Sequence, residues 1–182
     1  MYPIFRSSAL PTAAVLTSAL LSACSGMMPV SAPEVPSAIA VPAGNKVAFV
    51  FKGSGLLNYE CRAKADAPTD FAWVLASPDA ALKDKNDALV GKYYGGPTWE
   101  HADGSKVTGK QLAVSAAPTP GNIPWQLVEA APTTGSRVMN GVTYIQRVNT
   151  MAGVAPSDPC NATTVSSKKQ VRYSADYYFY KA

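Results

Sequence analysis

From Lys46 onward, apolar residues fall in short runs or alternate with polar ones, and clusters of Gly, Pro, Asn and Asp separate the runs. KVAFVF (46–51) is continuously apolar, whereas GLLNYECRA (55–63) sets Leu57, Tyr59 and Cys61 on one face. FAWVLA (71–76) groups Phe71, Trp73 and Leu75; WQLVEA (125–130) pairs Trp125 with Leu127; and VTYIQRV (142–148) aligns Val142, Tyr144, Gln146 and Val148. The clearest period-2 run is VRYSADYYFY (171–180), which sends Val171, Tyr173, Ala175, Tyr177 and Phe179 one way and Arg172, Ser174, Asp176, Tyr178 and Tyr180 the other. Alternation of this kind belongs to half-buried antiparallel strands, because parallel sheets bury both faces and read as unbroken apolar runs. The pattern predicts an all-β domain of eight to ten short strands, as a single antiparallel sandwich or a partly closed barrel. Two further local features are expected. Gly53-Ser54-Gly55 reads as a tight turn between strands, and Ser77-Pro78-Asp79-Ala80-Ala81-Leu82 as one helical turn with Ser77 as cap.

Before this domain the pattern changes twice. Arg6, an apolar run from Ala13 to Leu21 and the ending Leu21-Ser22-Ala23-Cys24 make residues 1–23 a signal segment too short to span a bilayer. LSAC resembles the lipobox of bacterial lipoproteins, in which Cys24 becomes the lipidated first residue. Ser25 lacks the aspartate associated with inner-membrane retention, which points to the outer membrane of a bacterial envelope. Residues 24–44, with Pro29, Pro33, Pro36 and Pro42 among Ala, Ser and Val, form an expected extended tether of up to about 60 Å. The β-domain then occupies residues 45–182.

In the 182-residue chain 47% of residues are hydrophobic and 15% charged, which excludes wholesale disorder. The 16 basic and 12 acidic residues become 15 and 12 without Arg6, a formal charge of +3. No basic run interleaved with aromatics accompanies it, so nucleic acid is not an expected partner. Apart from Cys24, the cysteines are Cys61 and Cys160, an even pair without CxxC spacing. In an oxidising compartment they are expected to form a structural disulfide, the alternative being two separate buried thiols.

Candidate chemistry concentrates in GGPTWEHADGS (95–105). Asp103-Gly104 is a two-residue hairpin signal, and in that register Glu100 faces Val107 while His101 faces Lys106. His101 is the only histidine in the chain, so a metal site or a nucleophile–base pair has little to draw on, and no metal or cofactor is expected. Gly53-Ser54-Gly55-Leu56-Leu57-Asn58 lacks the third glycine and the following helix of a dinucleotide fingerprint. The candidate binding surface combines Tyr93, Tyr94, Trp99 and Trp125, whose rings offer broad contact area with polar tips. A competing reading, an envelope hydrolase or isomerase, uses Glu100, His101 or Asp103.

The ordered motifs YEC (59–61), FAW (71–73) followed by PDAALKD (78–84), GGPTWEHADGSKVTG (95–109), IPW (123–125), VTYIQRVNT (142–150), AP…C (155–160) and YSADYYFY (173–180) resemble a bacterial and fungal family catalogued as domain of unknown function 3455. The resemblance spans Val47 to Tyr180. Tyr93-Tyr94 stands where a His-Tyr pair is common, and Met151-Ala152-Gly153 replaces a Thr-x-Gly-Gly pattern. Some relatives carry a malate dehydrogenase label, but the chain shows neither the dinucleotide site nor the cationic clamp that chemistry needs. The expected function is therefore a lipid-anchored envelope domain that binds a small molecule, glycan or envelope protein without catalysis.

Overall fold

The computed structural model describes residues 30–182, together with Met1 and Pro3. The signal segment, Cys24 and the first part of the tether lie outside the described residues. Eight antiparallel strands follow in chain order: β1 (Lys46–Ala63), β2 (Phe71–Lys83), β3 (Leu89–Tyr94), β4 (Thr98–His101), β5 (Lys106–Ser115), β6 (Trp125–Ala130), β7 (Val142–Ala152) and β8 (Lys168–Lys181). Each pairs with its sequence neighbour, and β1 also pairs with β8, so the sheet closes into an up-and-down barrel. Of the two architectures the sequence allows, the barrel is the one formed.

Residues 46–51 and 55–63 are one 18-residue strand, not two strands joined by a turn. Gly53 is needed because a side chain there would lie 2.5 Å from Cε2 of Tyr177. The Gly-Ser-Gly segment lets a strongly coiled strand pass close to its neighbours rather than reverse. The expected helical turn at 77–82 is likewise strand, since Ala80 and Leu82 alternate into the core and pair across from Gly55 and Gly53. Pro78 is tolerated because β3 pairs with β2 only from Asp79 onward, so no β3 residue lies across from it.

The interior holds Phe51, Leu57, Tyr93, Trp99, Val107, Val128, Ile145, Tyr173, Tyr177 and Phe179. β8 divides its faces as its alternation predicts. β7 does not: a register shift between Val142 and Tyr144 puts Val142 in the core, whereas Tyr144, Gln146 and Val148 face outward and Arg147 faces in, opposite Tyr177. On β6, Trp125 and Leu127 share a face, but it is the outer one, and Val128 and Ala130 enter the core. The outer face of β7 is nevertheless buried where the N-terminal segment crosses it. A 3-10 turn, Ser37–Ile39, buries Ile39 completely, and Nε2 of Gln146 donates to the Ile39 carbonyl at 2.7 Å. Tyr180 donates its hydroxyl to Oε1 of Gln146, and burial pushes that phenol up to about 12.

Both barrel ends are covered. At one end Ile123, before β6, packs beside Gly153, where an added Cβ would meet Tyr173, Ile123 and Leu57. The β7–β8 connection lies over the projecting β1–β2 hairpin, joined by the Cys61–Cys160 disulfide, with Cα atoms 5.5 Å apart, and by a 2.8 Å bond from Trp73 Nε1 to the Asp158 carbonyl. At the other end Met139, fully buried, plugs the barrel from the β6–β7 connection. The outer face of β1 and β8 carries Lys52, Ser54, Asn58, Glu60, Arg172, Ser174 and Asp176 beside Val50, Leu56 and Tyr178, while the packed apolar core lies inside, the inverse of a lipid-facing barrel. No helix of the described residues is long and apolar enough to cross a membrane.

Candidate functional site

The hairpin of β4 and β5 is one residue longer than the Asp-Gly signal predicts. Glu100 pairs with Lys106, Trp99 with Val107 and Thr98 with Thr108. His101 closes the loop by bonding with its N–H to the Ser105 carbonyl, and Gly104 N–H returns to the His101 carbonyl. Only Gly104 has positive φ, +85°, so the connection is a three-residue loop. The Asp103 carboxylate explains the choice, because Oδ1 accepts from both the N–H and the hydroxyl of Ser105 and favours a side-chain-capped turn.

This register sends the candidate residues to different places. Tyr93 and Trp99 lie in the core, stacked with ring centroids 4.6 Å apart, and His101 stacks on Phe51 at 5.9 Å. The expected aromatic shelf of Tyr93, Tyr94, Trp99 and Trp125 is therefore not formed: the first and third are interior, and Trp125 lies on the outer face of β6 with its Nε1 buried and unpartnered. Tyr94 and Glu100 face outward together, joined by a 2.7 Å bond from the phenol to Oε2. Glu100 and His101 thus occupy opposite faces of β4. Asp103 belongs to a third place, the turn, where it also accepts the Val138 N–H and its own carbonyl accepts from Arg137. Nδ1 of His101 lies 3.1 Å from Oδ1 of Asp103 and accepts the Asp103 N–H. Among the described residues, no group of three or more His, Cys, Asp and Glu side chains comes within reach of one metal ion.

What the outer face does assemble is a groove across β2, β3 and β4. Its volume is about 450 Å³; Asp79 and Ala81 line it from β2, Leu89, Gly91 and Lys92 from β3, and both Glu100 and His101 from β4. Gly91 keeps the floor low, since a Cβ there would be 2.1 Å from the Glu100 carbonyl oxygen. Leu89, 68% exposed, forms an apolar rim. Along another rim, Glu100 binds Lys106 at 3.3 Å and Lys92 at 3.6 Å, and the Lys92 ammonium sits over the Tyr94 ring at 5.3 Å. The Tyr94 bond, then the Lys106 bond and the two ammonium charges, hold the Glu100 carboxyl below the usual carboxylate range. This surface offers a small apolar floor beside a balanced set of hydrogen-bonding groups.

Sequence reasoning missed a second polar feature. Arg147 lies inside the barrel wall, bonded through Nη2 to the Pro124 carbonyl at 2.8 Å, with Nε buried and unpartnered. Around it are Tyr59, bonded to the Gly153 carbonyl, and Tyr173 and Tyr177, whose hydroxyls meet at 3.1 Å. Burial raises these phenols, and the guanidinium opposes the rise. Inward alternation of Ile145 and Arg147 was the available signal, masked by the more apolar residues on the other parity.

No curated protein and no solved structure is found to match the chain. Residues 42–181, a span that includes every strand of the barrel, match the family described as Protein of unknown function (DUF3455), and the chain belongs to that family.

Proposed function

We propose that the protein is a lipid-anchored module of the bacterial cell envelope, tethered by Cys24 to the outer membrane, whose barrel binds a ligand or partner on its outside without catalysing a reaction. The observation that carries this reading is the filled interior. Trp99, Tyr177 and Phe179 occupy the space where a ligand-binding barrel keeps a cavity, and Ile123 and Met139 cover the ends. Binding then falls to the β2–β4 groove, beside which the exposed Lys92 and the partly buried Tyr94 and Glu100 are linked to one another. Glu100 leaves β4 on the face opposite to His101, and the Asp103 carboxylate beside His101 is taken up by Ser105 and Val138, which supports a binding role over acid–base chemistry. A disulfide linking positions 99 residues apart supports an oxidising compartment, and a polar barrel exterior supports anchoring through lipid rather than through strands.

Anchor and groove are tested in one set of strains. Cys24→Ala should leave the membrane fraction or remain unprocessed; a variant that fractionates and migrates like the unaltered protein refutes the anchor. A photoreactive side chain at Leu89 should give a discrete cross-linked product in intact cells, abolished by Ala81→Trp on the groove floor. A product pattern matching that of the same probe at Lys110, on β5, refutes the groove.

A further inference from the structure

The barrel wall is uneven. β3 and β4 have 6 and 4 residues, whereas β2 between them and β1 has 13. β3 pairs with β2 from Asp79 to Lys83 only, so Phe71 to Pro78 extend past it with an open edge, about 25 Å of strand at roughly 3.3 Å per residue. Among the described residues no other backbone group bonds to this edge. Exposed edges are ordinarily blunted by charge, proline or shortness. Here Phe71-Ala72-Trp73-Val74-Leu75-Ala76-Ser77 carries neither charge nor proline, and Pro78 follows only at the far end of the edge. Its five residues from Phe71 to Leu75 pair without irregularity to Ala63–Tyr59.

Composition marks the same segment. On β1 the outward positions beside it are Glu60 and Arg62, which form an ion pair at 2.8 Å, as expected of a solvated face. On β2 the outward positions are Ala72 and Val74, the latter 39% exposed, while Phe71, Trp73 and Leu75 face the disulfide-bearing loop side. An apolar run on both faces is what a strand covered on both faces carries, yet among the described residues no strand pairs with one edge and Val74, Leu75 and Ala76 are exposed.

We propose that a second copy of this chain covers them, the two β2 edges pairing antiparallel about a dyad at Trp73, which sets Ala72 of each copy opposite Val74 of the other. Antiparallel pairing of a strand with itself is closed and isologous, so it makes a dimer and not a filament. No charged residue of one edge meets a like charge of the other, and the four outward residues, Ala72 and Val74 from each copy, join into one uncharged patch. The β5 edge across the notch is a poorer partner because Lys110 flanks it and Leu112 forms a bulge there.

Sedimentation of the purified full chain should show a concentration-dependent dimer. Val74→Lys brings two ammonium groups within side-chain reach across the dyad and should raise the dissociation constant by about tenfold or more. An equimolar mixture of Val74→Lys and Val74→Glu should recover the dimer, since opposite charges then face each other. Far-UV circular dichroism verifies the folds, with Ala72→Lys as the substitute if Val74→Lys unfolds. A wild-type chain that is monomeric up to about 100 µM, a folded lysine variant that dimerises like wild type, or a mixture that stays monomeric each overturns the proposal.

Discussion

Asp103 shows how one carboxylate can look catalytic in a sequence and be structural in the fold. It accepts from the N–H and hydroxyl of Ser105 and from the Val138 N–H, so it joins the β4–β5 turn to the connection that delivers Met139 into the barrel end. These bonds, led by the Ser105 hydroxyl, hold its carboxyl well below the ordinary carboxylate range. A depressed native pKa means stabilisation that is complete above the unfolded-state value, near 3.9, and is lost as pH falls through and below it. Asp103→Asn should therefore lower the thermal midpoint near neutrality, with the gap to wild type narrowing below about pH 4; equal gaps at both ends of a pH series of melting curves would contradict this. Gly53 makes the complementary case of a residue defined by what it lacks. Gly53→Val drives a side chain into the Tyr177 ring and should cost about 1–3 kcal/mol or more in urea unfolding. Asp103 was legible as a turn residue but its third partner, 35 positions away, was not; Gly53 was legible as special, but for the wrong reason.

At the scale of elements, period-2 alternation identified the strands because burying one face of a sheet is a local requirement. It could not say which face of β6 and β7 is the inner one, because Ile39 arrives from outside the barrel and makes outer positions as buried as inner ones, and it missed the shift that separates Val142 from Tyr144. Turn chemistry misled wherever a glycine or proline served close packing and not reversal, as at Gly53-Ser54-Gly55 and Pro78. The cysteine pairing was legible from parity alone, and it joins β1 to the β7–β8 connection, two segments that also exchange backbone bonds between Cys61 and Ser166–Ser167. Because the closed loop is long, Cys61→Ser with Cys160→Ser should lower stability by about 2–5 kcal/mol, less whatever those remaining bonds retain. Chemical denaturation with and without reductant measures it. The variant should be insensitive to reductant, and the wild type should fall to the variant's midpoint on reduction.

Across the whole molecule, closure was the one feature no local pattern carried, since nothing in Lys46–Ala63 or Lys168–Lys181 alone says that they are neighbours. The candidate site shared that fate. Inside and outside are properties of the ring, and the ring divided Tyr93, Trp99 and His101 from Tyr94 and Glu100. The pairing of first strand with last has a consequence for the chain's history. β1 emerges early during synthesis, yet one of its edges finds its partner only when the final 14-residue strand is complete. Until then its two apolar stretches are available to any passing surface, and the contacts that finally secure them join residues more than a hundred positions apart, the kind of long-range pairing that folds slowly. Arrival of β8 is thus the event that commits the ring, and a nascent chain interrupted before Lys168 has no way to close it.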